Sequence, residues 1–165
     1  MTSVVRERLG YLRDGRAPIP DRETTSRVMS ANRAKDTRPE LCLRRELRRL
    51  GITGYRLHVG RVPGRPDITF WKAKVAVFVH GCFWHRCPHC RLPLPKTHTD
   101  WWGTKFEANQ RRDKEKARLL REAGWRVLTL WECELSISST ASANRVKELL
   151  NRVMQGQGPP ADAVP

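Results

Sequence analysis

Residues 74–85 read KVAVFVHGCFWH, and the prediction of the fold starts from this stretch. The run from Lys74 to Val79 is apolar and rich in β-branched side chains, which predicts a strand buried on both faces. After it, His80 to His85 combine two histidines with a glycine, a cysteine and two aromatic rings. Because sites in α/β folds gather at strand ends, we expect the chemistry of the protein here.

Short apolar runs bounded by turn residues predict three more strands, at residues 55–59, 67–71 and 126–131. Two of these precede the central run and one follows it. Helical patterns lie before, between and after these strands. The order helix, three strands, helix, strand, helix predicts an α/β fold with a mixed sheet flanked by helices on both faces.

The first helix is predicted from a capping box formed by Thr37 and Glu40 to a stop at Gly51. The arginines assigned to its outer face are Arg44, Arg45, Arg48 and Arg49. A long helix is predicted to begin between residues 99 and 105 and to end at Gly124. A last helix is predicted near residues 142–154.

The chain of 165 residues is long enough for one ordinary hydrophobic core. We therefore expect a single domain at residues 23–155, preceded by a flexible basic arm at 1–22 and followed by a disordered tail at 156–165. No run of about 18 apolar residues and no signal-peptide pattern occurs, so we expect no membrane span and a cytoplasmic location.

The charge balance favours a polyanionic partner, because 32 Lys and Arg stand against 17 Asp and Glu, a net charge of +15. Nucleic acid is the first candidate, and in a bacterial cytoplasm the protein would associate with the nucleoid. Composition alone does not distinguish DNA from RNA, and a highly soluble or ribosome-associated protein has a similar balance.

Cysteines crowd together after the central strand. Cys82, Cys87, His89 and Cys90 lie within nine residues, and Cys133 follows the strand predicted at 126–131. Thiolate and imidazole are the ligands that tetrahedral Zn²⁺ prefers, and four protein ligands would make the site structural rather than catalytic. The alternative is a group of reduced thiols that bind no metal, and the five candidates exceed by one the number that such a site needs.

Two carboxylates have both a structural and a functional interpretation. Asp67 follows the rigid turn of residues 63–66 and begins a predicted strand, where it can cap the turn or hold Mg²⁺ through hard oxygen ligands. Glu40 is the capping-box partner of Thr37 and has no other assignment from its spacing.

The long helix carries two polar residues on its apolar face. Phe106, Asn109, Asp113, Ala117 and Leu120 follow one another at spacings of three and four residues. Burial of an unpartnered carboxylate is costly, so Asp113 is expected to pair with a histidine or with water at a metal, unless this end of the face is exposed to solvent.

Aromatic pairs lie on both sides of the cysteine-rich segment. Phe83-Trp84 and Trp101-Trp102 either pack over a small core or a metal site, or stack on nucleic-acid bases and wedge between base pairs.

Four segments together resemble the very-short-patch mismatch repair endonuclease family, over about residues 21–135. They are PGRPD at 63–67, VHGCFWH at 79–85, FEANQRRD at 106–113 and GWRVLTLWEC at 124–133. The resemblance implies a restriction-endonuclease-like fold with a structural zinc site. It also implies Mg²⁺-dependent nicking of duplex DNA beside the T of a T:G mismatch that arises when 5-methylcytosine deaminates.

The resemblance also assigns roles to individual residues. Asp67 and the backbone carbonyl of Val79 would hold Mg²⁺, His85 would act as the general base, and Asp113 would be its partner. Glu40 would bind water around the metal, with His80 and Asn109 assisting at the scissile phosphate. The zinc ligands would be Cys82, Cys87, His89 and Cys133, with Cys90 as the alternative to His89. DNA contacts would come from Phe83, Trp84, Trp102 and Lys105.

Three hypotheses follow: a mismatch-nicking endonuclease, a restriction-type endonuclease that cuts matched sites, and a zinc-containing DNA-binding module without catalysis. The first implies a functional link with a DNA cytosine methyltransferase and with a repair polymerase and ligase. We expect a monomer, because an asymmetric lesion needs no two-fold symmetric enzyme.

Overall fold

A computed structural model describes residues 35–96 and 98–156, which form three helices and four strands. In chain order the elements are α1 (Arg38–Arg49), β1 (Arg56–Leu57), β2 (Ile68–Phe70), β3 (Val75–His80), α2 (Thr99–Glu122), β4 (Arg126–Trp131) and α3 (Glu132–Met154). The predicted arm, residues 1–22, lies outside the described residues, as does all of the predicted tail except Gly156.

The sheet is mixed, as predicted, with the strand order β1-β2-β3-β4. The first three strands are antiparallel neighbours, and β4 runs parallel to β3 with His80 opposite Trp131. The carboxyl ends of β3 and β4 therefore lie side by side. Because β2 runs the opposite way, it begins beside the end of β3, which brings the residue before β2 to the same edge.

Helices cover both faces of the sheet. On one face, leucines of α1 and apolar residues of α3 pack against Ile68, Val77 and Leu130, all of which are fully buried. On the other face, Leu120 of α2 packs against Ala76 and Phe78. Side chains of β3 thus enter both cores in alternation, which is the physical reason that its sequence is apolar throughout.

Helix α1 begins with the predicted capping arrangement. The Glu40 carboxylate accepts the backbone N–H of Thr37 at 3.4 Å and its hydroxyl at 2.7 Å. The prediction that Arg44 lies on the outer face is wrong: its side chain is 7% exposed and donates to Asp36 over 2.5 Å. A nearby carboxylate compensates the buried guanidinium, so the residue turns inward.

Helix α3 begins at Glu132, directly after β4 and ten residues before the predicted start. The Glu134 side chain accepts the backbone N–H of Trp131 at 2.8 Å, so the first turn is capped without a Gly or Pro turn between strand and helix. The helix is interrupted at Ser138, which has non-helical backbone angles. No helix within the described residues is long and apolar enough to span a bilayer.

Candidate active site

An open cleft of about 1120 Å³ lies at the sheet edge where β3 ends and β2 begins. It receives residues from the start of α1, the turn before β2, the end of β3, the loop after β3 and the middle of α2. The side chains of its walls that carry acid–base or charge chemistry are Asp36, Arg38, Glu40, Arg65, Asp67, His80, His85, Lys116 and Glu132.

Asp67 is held at the floor of this cleft by the sheet itself. Its Oδ2 accepts the backbone N–H of Val79 at 2.7 Å, and its side chain is 20% exposed. Burial raises the pKa of Asp67 to about 6, although the bond from Val79 acts in the opposite direction. A carboxylate whose ionisation is disfavoured by burial is a group that a bound cation stabilises.

Glu40 lies beside Asp67, with His58 between the two carboxylates. His58 Nε2 is 3.5 Å from Glu40 Oε2, and His58 Nδ1 is 3.7 Å from Asp67 Oδ1. Glu40 is 5% exposed and also accepts the backbone N–H of Asp36 at 3.2 Å. Glu40 therefore both caps α1 and lies in the group of side chains around Asp67. Asp36, Glu40 and His58 place one ligand atom each within 4.8 Å of one another.

His85 and Asp113 form the histidine–carboxylate pair that the helix pattern allows. Nδ1 of His85 is hydrogen-bonded to Oδ2 of Asp113. Burial tends to raise the pKa of Asp113, but the hydrogen bond and charge of His85 outweigh it and lower the pKa. An ionised Asp113 accepts a proton-bearing Nδ1 and leaves Nε2 of His85 as an acceptor, the tautomer that a general base requires.

His80 stacks on His85 with their ring centroids 4.0 Å apart and their planes 9° from parallel. Burial, supported by the charge of His85, lowers the pKa of His80 to about 4. His80 is thus neutral at physiological pH and supports the ring of His85 from one side.

Asn109 holds the loop rather than facing the cleft. Its Nδ2 donates to the backbone carbonyl of Trp84 over 2.8 Å. This bond ties α2 to the segment that carries His85, so Asn109 contributes to the position of the histidine. Lys105, one turn earlier on α2, is half-buried.

The aromatic side chains form one cluster beside the cleft. Phe83 contacts Trp84, Trp102 and Phe106 edge to face, at centroid distances of 5.1, 5.5 and 5.2 Å. Phe106 is buried at the base, whereas the other three are half-buried. Phe83 and Trp84 also line the cleft, so two of the packed rings are accessible from it, and stacking on bases stays a prediction.

Four cysteines, Cys82, Cys87, Cys90 and Cys133, bring their sulfur atoms within 4.8 Å of one another. The sulfurs of Cys87 and Cys133 are 3.7 Å apart, and all four are free thiols. A tetrahedral site with zinc–sulfur bonds of about 2.3 Å separates its sulfurs by about 3.8 Å, so the group fits one zinc ion.

The fourth member of this cluster is Cys90, the alternative to His89. His89 is exposed and is absent from the group. Burial favours the neutral thiol of Cys87, but the backbone N–H groups of Cys90 and His89 outweigh it and lower the pKa of Cys87. His89 therefore contributes its backbone to the cluster, and the sequence spacing alone did not distinguish these two roles.

Two residues of the site were missed in the sequence analysis. His58 is a single histidine near a short strand, without a motif around it. Lys116 lies three residues after Asp113 on α2, and the same helical spacing that identified Asp113 places it on the cleft side. Lys116 was not singled out because lysine and arginine are abundant throughout this basic chain.

Similarity to known proteins identifies the family of the chain. A family model described as DNA mismatch endonuclease Vsr matches residues 17–92. The type II nicking enzyme V.XorIIP of Xanthomonas oryzae is 43% identical over 125 residues, which cover 75% of this chain and 90% of that protein. The type II nicking enzyme V.NaeI of Lentzea aerocolonigenes is 44% identical over 126 residues, 73% of this chain and 74% of that protein.

The DNA mismatch endonuclease Vsr of Escherichia coli is 36% identical over 143 residues, which cover 86% of this chain and 90% of that protein. An alignment over 86% of this chain covers the strands, the cysteine-rich loop and α2. The chain therefore belongs to the family of the DNA mismatch endonuclease Vsr.

Proposed function

We propose that this protein nicks one strand of duplex DNA beside the T of a T:G mismatch formed by deamination of 5-methylcytosine, and so initiates very short patch repair. Its membership of the Vsr family makes it a DNA endonuclease. Its specificity for a T:G mismatch and for one strand is what we propose. The observation that carries it is that Asp67 and His85, which is hydrogen-bonded to Asp113, line one cleft together with Phe83 and Trp84 of the aromatic cluster.

The reaction is hydrolysis of one phosphodiester bond. The oxygen of a water molecule forms a bond to phosphorus while one phosphorus–oxygen bond to the sugar breaks. The proton of the water passes to Nε2 of His85, whose Nδ1–H is held by Asp113, and the departing sugar oxygen takes a proton from water. His80 keeps the ring of His85 in place by stacking.

Asp67 and the backbone carbonyl of Val79 would hold a divalent metal ion, proposed to be Mg²⁺, which prefers hard oxygen ligands. The buried Asp67 carboxylate fits this assignment because its pKa is raised in the absence of a cation. When bound, Mg²⁺ neutralises charge that develops on the phosphate and makes water a better nucleophile. Glu40 lies beside Asp67 and would orient water there.

Recognition of the mismatch is assigned to the aromatic cluster. Phe83, Trp84 and Trp102 are half-buried beside the catalytic cleft and would insert between base pairs, which costs less at a mismatch than in matched duplex. Lys105 and the net charge of +15 would supply contacts to the DNA backbone.

The cysteine cluster is proposed to bind structural Zn²⁺ through Cys82, Cys87, Cys90 and Cys133. It joins the loop after β3 to the start of α3, and the backbone N–H of Cys82 donates to Glu132 at 3.1 Å in the same region. A metal here would fix the loop that carries Phe83, Trp84 and His85. The functional partners of such an enzyme are a cytosine methyltransferase, whose sites produce the mismatch, and a repair polymerase and ligase. We propose that it acts as a monomer.

The test is strand-specific cleavage of end-labelled duplexes that carry T:G or matched C:G pairs in a panel of cytosine-methylation contexts, with Mg²⁺ or EDTA. A Mg²⁺-dependent nick only beside the mismatched T is expected. Cutting of matched duplex would instead indicate a restriction-type enzyme, and binding without cutting would indicate a DNA-binding module.

A further inference from the structure

Lys116 occupies a position on α2 that the catalytic scheme above does not use. Asn109, Asp113, Lys116 and Leu120 follow one another at spacings of four, three and four residues, so they share one face of the helix. Lys116 lines the cleft together with Asp67, His80 and His85. Among the described residues that line this cleft, only Arg38, Arg65 and Lys116 carry a permanent positive charge.

The stem of Lys116 is confined by the turn that precedes Asp67. Gly64 has a φ of +71°, and a Cβ built on it would lie 2.7 Å from Cβ and 2.8 Å from Cγ of Lys116. The stem therefore passes directly over Gly64. A lysine whose first methylenes are already ordered loses less side-chain entropy when its ammonium binds a ligand.

The contacts of the ammonium leave it able to bind an anion. Lys116 Nζ is 3.8 Å from Oδ1 of Asp113, whose other oxygen is bonded to His85, and the lysine side chain is 41% exposed. A charge pair of this length and exposure contributes little, because solvent screens it. A phosphate oxygen in the cleft can therefore replace or share this contact at little cost.

Lys116 lies near both halves of the proposed catalytic apparatus. Its side chain lines the same cleft as Asp67, the proposed metal ligand, and His85, the proposed general base. Its ammonium is also 3.8 Å from Asp113, the partner of that base. A phosphate that reacts between Asp67 and His85 would therefore lie within reach of the Lys116 side chain.

We propose that Lys116 contacts the phosphate group that is cleaved and stabilises the negative charge that develops on its oxygens during hydrolysis. The lysine forms no covalent bond and transfers no proton; it acts as a fixed cation in a cleft whose other charged groups include several carboxylates. This inference rests on the proposed function, because it assigns Lys116 to the same phosphodiester hydrolysis.

The experiment compares Lys116→Met, which keeps the stem but removes the charge, with Lys116→Arg and with Lys114→Ala as a matched control. Lys114 is an exposed lysine of the same helix, two residues away and outside the lining of the cleft. Single-turnover cleavage of a T:G duplex is measured in Mg²⁺, and binding of the same duplex is measured in Mg²⁺-free buffer across a range of NaCl concentrations.

For Lys116→Met we expect a rate roughly 10- to 100-fold lower than that of the wild type, and a plot of log K against log salt that is less steep by about one. Lys116→Arg should recover most of the rate, and Lys114→Ala should retain it. An unchanged rate in Lys116→Met would overturn the proposal. So would an altered pH profile of cleavage with an unchanged salt slope, because that result would mean that Lys116 only positions Asp113.

The wild-type arm keeps the two proposals distinguishable. Absence of nicking by the wild-type protein on every duplex contradicts the proposed function, whereas loss of rate confined to the Lys116 variants concerns this residue alone. The salt slope of binding tests the phosphate contact even on a duplex that is not cut, and an unchanged slope there would reject it.

Discussion

The carboxylate of Asp67 accepts the backbone N–H of Val79 over 2.7 Å, which joins the start of β2 to the end of β3. Since both partners belong to the ends of paired strands, the position of the carboxylate is set by the sheet register rather than by a flexible side chain. Its second oxygen, Oδ1, faces His58 at 3.7 Å.

Asp67→Asn is expected to abolish Mg²⁺-dependent cutting while DNA binding is largely retained. The amide oxygen of asparagine can still accept the N–H of Val79, so the loop should keep its place, but the charge that holds the metal is lost. Single-turnover cleavage and binding of the same labelled duplex provide the measurement. Retained cutting would remove Asp67 from the metal site.

The same substitution should stabilise the metal-free protein at neutral pH. The folded-state pKa of Asp67, about 6, exceeds the value of about 3.9 in an unfolded chain, so ionisation destabilises the wild type as the pH rises through that window. At about 1.4 kcal/mol per pKa unit, Asp67→Asn should raise the free energy of unfolding by on the order of 2–3 kcal/mol above pH 7, and this gain should disappear near pH 4.

Urea unfolding of the wild type and of Asp67→Asn in Mg²⁺-free buffer, at pH 4 and pH 7.5, checks this prediction. Asp100→Asn, an exposed carboxylate at the start of α2, is the control and should have little effect at either pH. A stability difference for Asp67→Asn that does not change with pH would contradict the burial of an ionisable carboxylate as its cause.

His85 and Asp113 should behave as one catalytic unit. Either His85→Ala or Asp113→Ala is expected to lower the single-turnover rate by roughly 10²- to 10⁴-fold, and the double variant should be little worse than the more damaging single one. Multiplicative losses in the double variant would mean that the hydrogen bond between them does not serve the reaction.

The cysteine cluster predicts one zinc ion per chain with Cys90 as a ligand. Cys90→Ser should lose zinc and lower the thermal midpoint, because the loop after β3 is then no longer joined to α3 through the metal. His89→Ala and Cys42→Ser, which lie outside the cluster, should keep it. Metal analysis of the purified variants measures the zinc content. Zinc loss in His89→Ala with retention in Cys90→Ser would show that His89, rather than Cys90, is the ligand.

The sequence predicts an element well when a single local pattern defines it. Strand β3 is apolar because its side chains pack into the cores on both faces of the sheet, and α1 begins with a capping box. The position and type of both elements were therefore predicted. Helix α3 was assigned ten residues too late, because it begins directly after β4 without a Gly or Pro and because Ser138 interrupts its pattern. Arg44 was assigned outward because the carboxylate that pairs with its buried side chain, that of Asp36, lies before the helix.

The candidate site was predictable where polar residues broke an apolar pattern. Asp113 stood out on an apolar helix face, and its partner proved to be His85, brought close by a loop that Asn109 holds. His58 could not be predicted, since its role depends only on the distance between two carboxylates that the fold brings together. The order of Cys87, His89 and Cys90 likewise fits two ligand sets until the backbone path is known.

Gly64 should tolerate a side chain less well than Gly54, although both have positive φ values, +71° and +78°. Gly54→Ala meets no atom within 4 Å and should cost about 1 kcal/mol, the penalty of the left-handed conformation alone. Gly64→Ala bears the same penalty and also presses on the stem of Lys116, so a further cost of about 1–3 kcal/mol is expected.

Cleavage should separate these glycine variants more sharply than stability does. Gly64 lies in the turn that delivers Asp67 and beneath the lysine proposed to hold the phosphate, so its substitution displaces two groups of the site, and an error of about 1 Å there can cost on the order of 100-fold in rate. Gly54→Ala should cut at the wild-type rate at a temperature where both variants are folded. Equal rates for the two variants would show that the contact between Gly64 and Lys116 does not position the site.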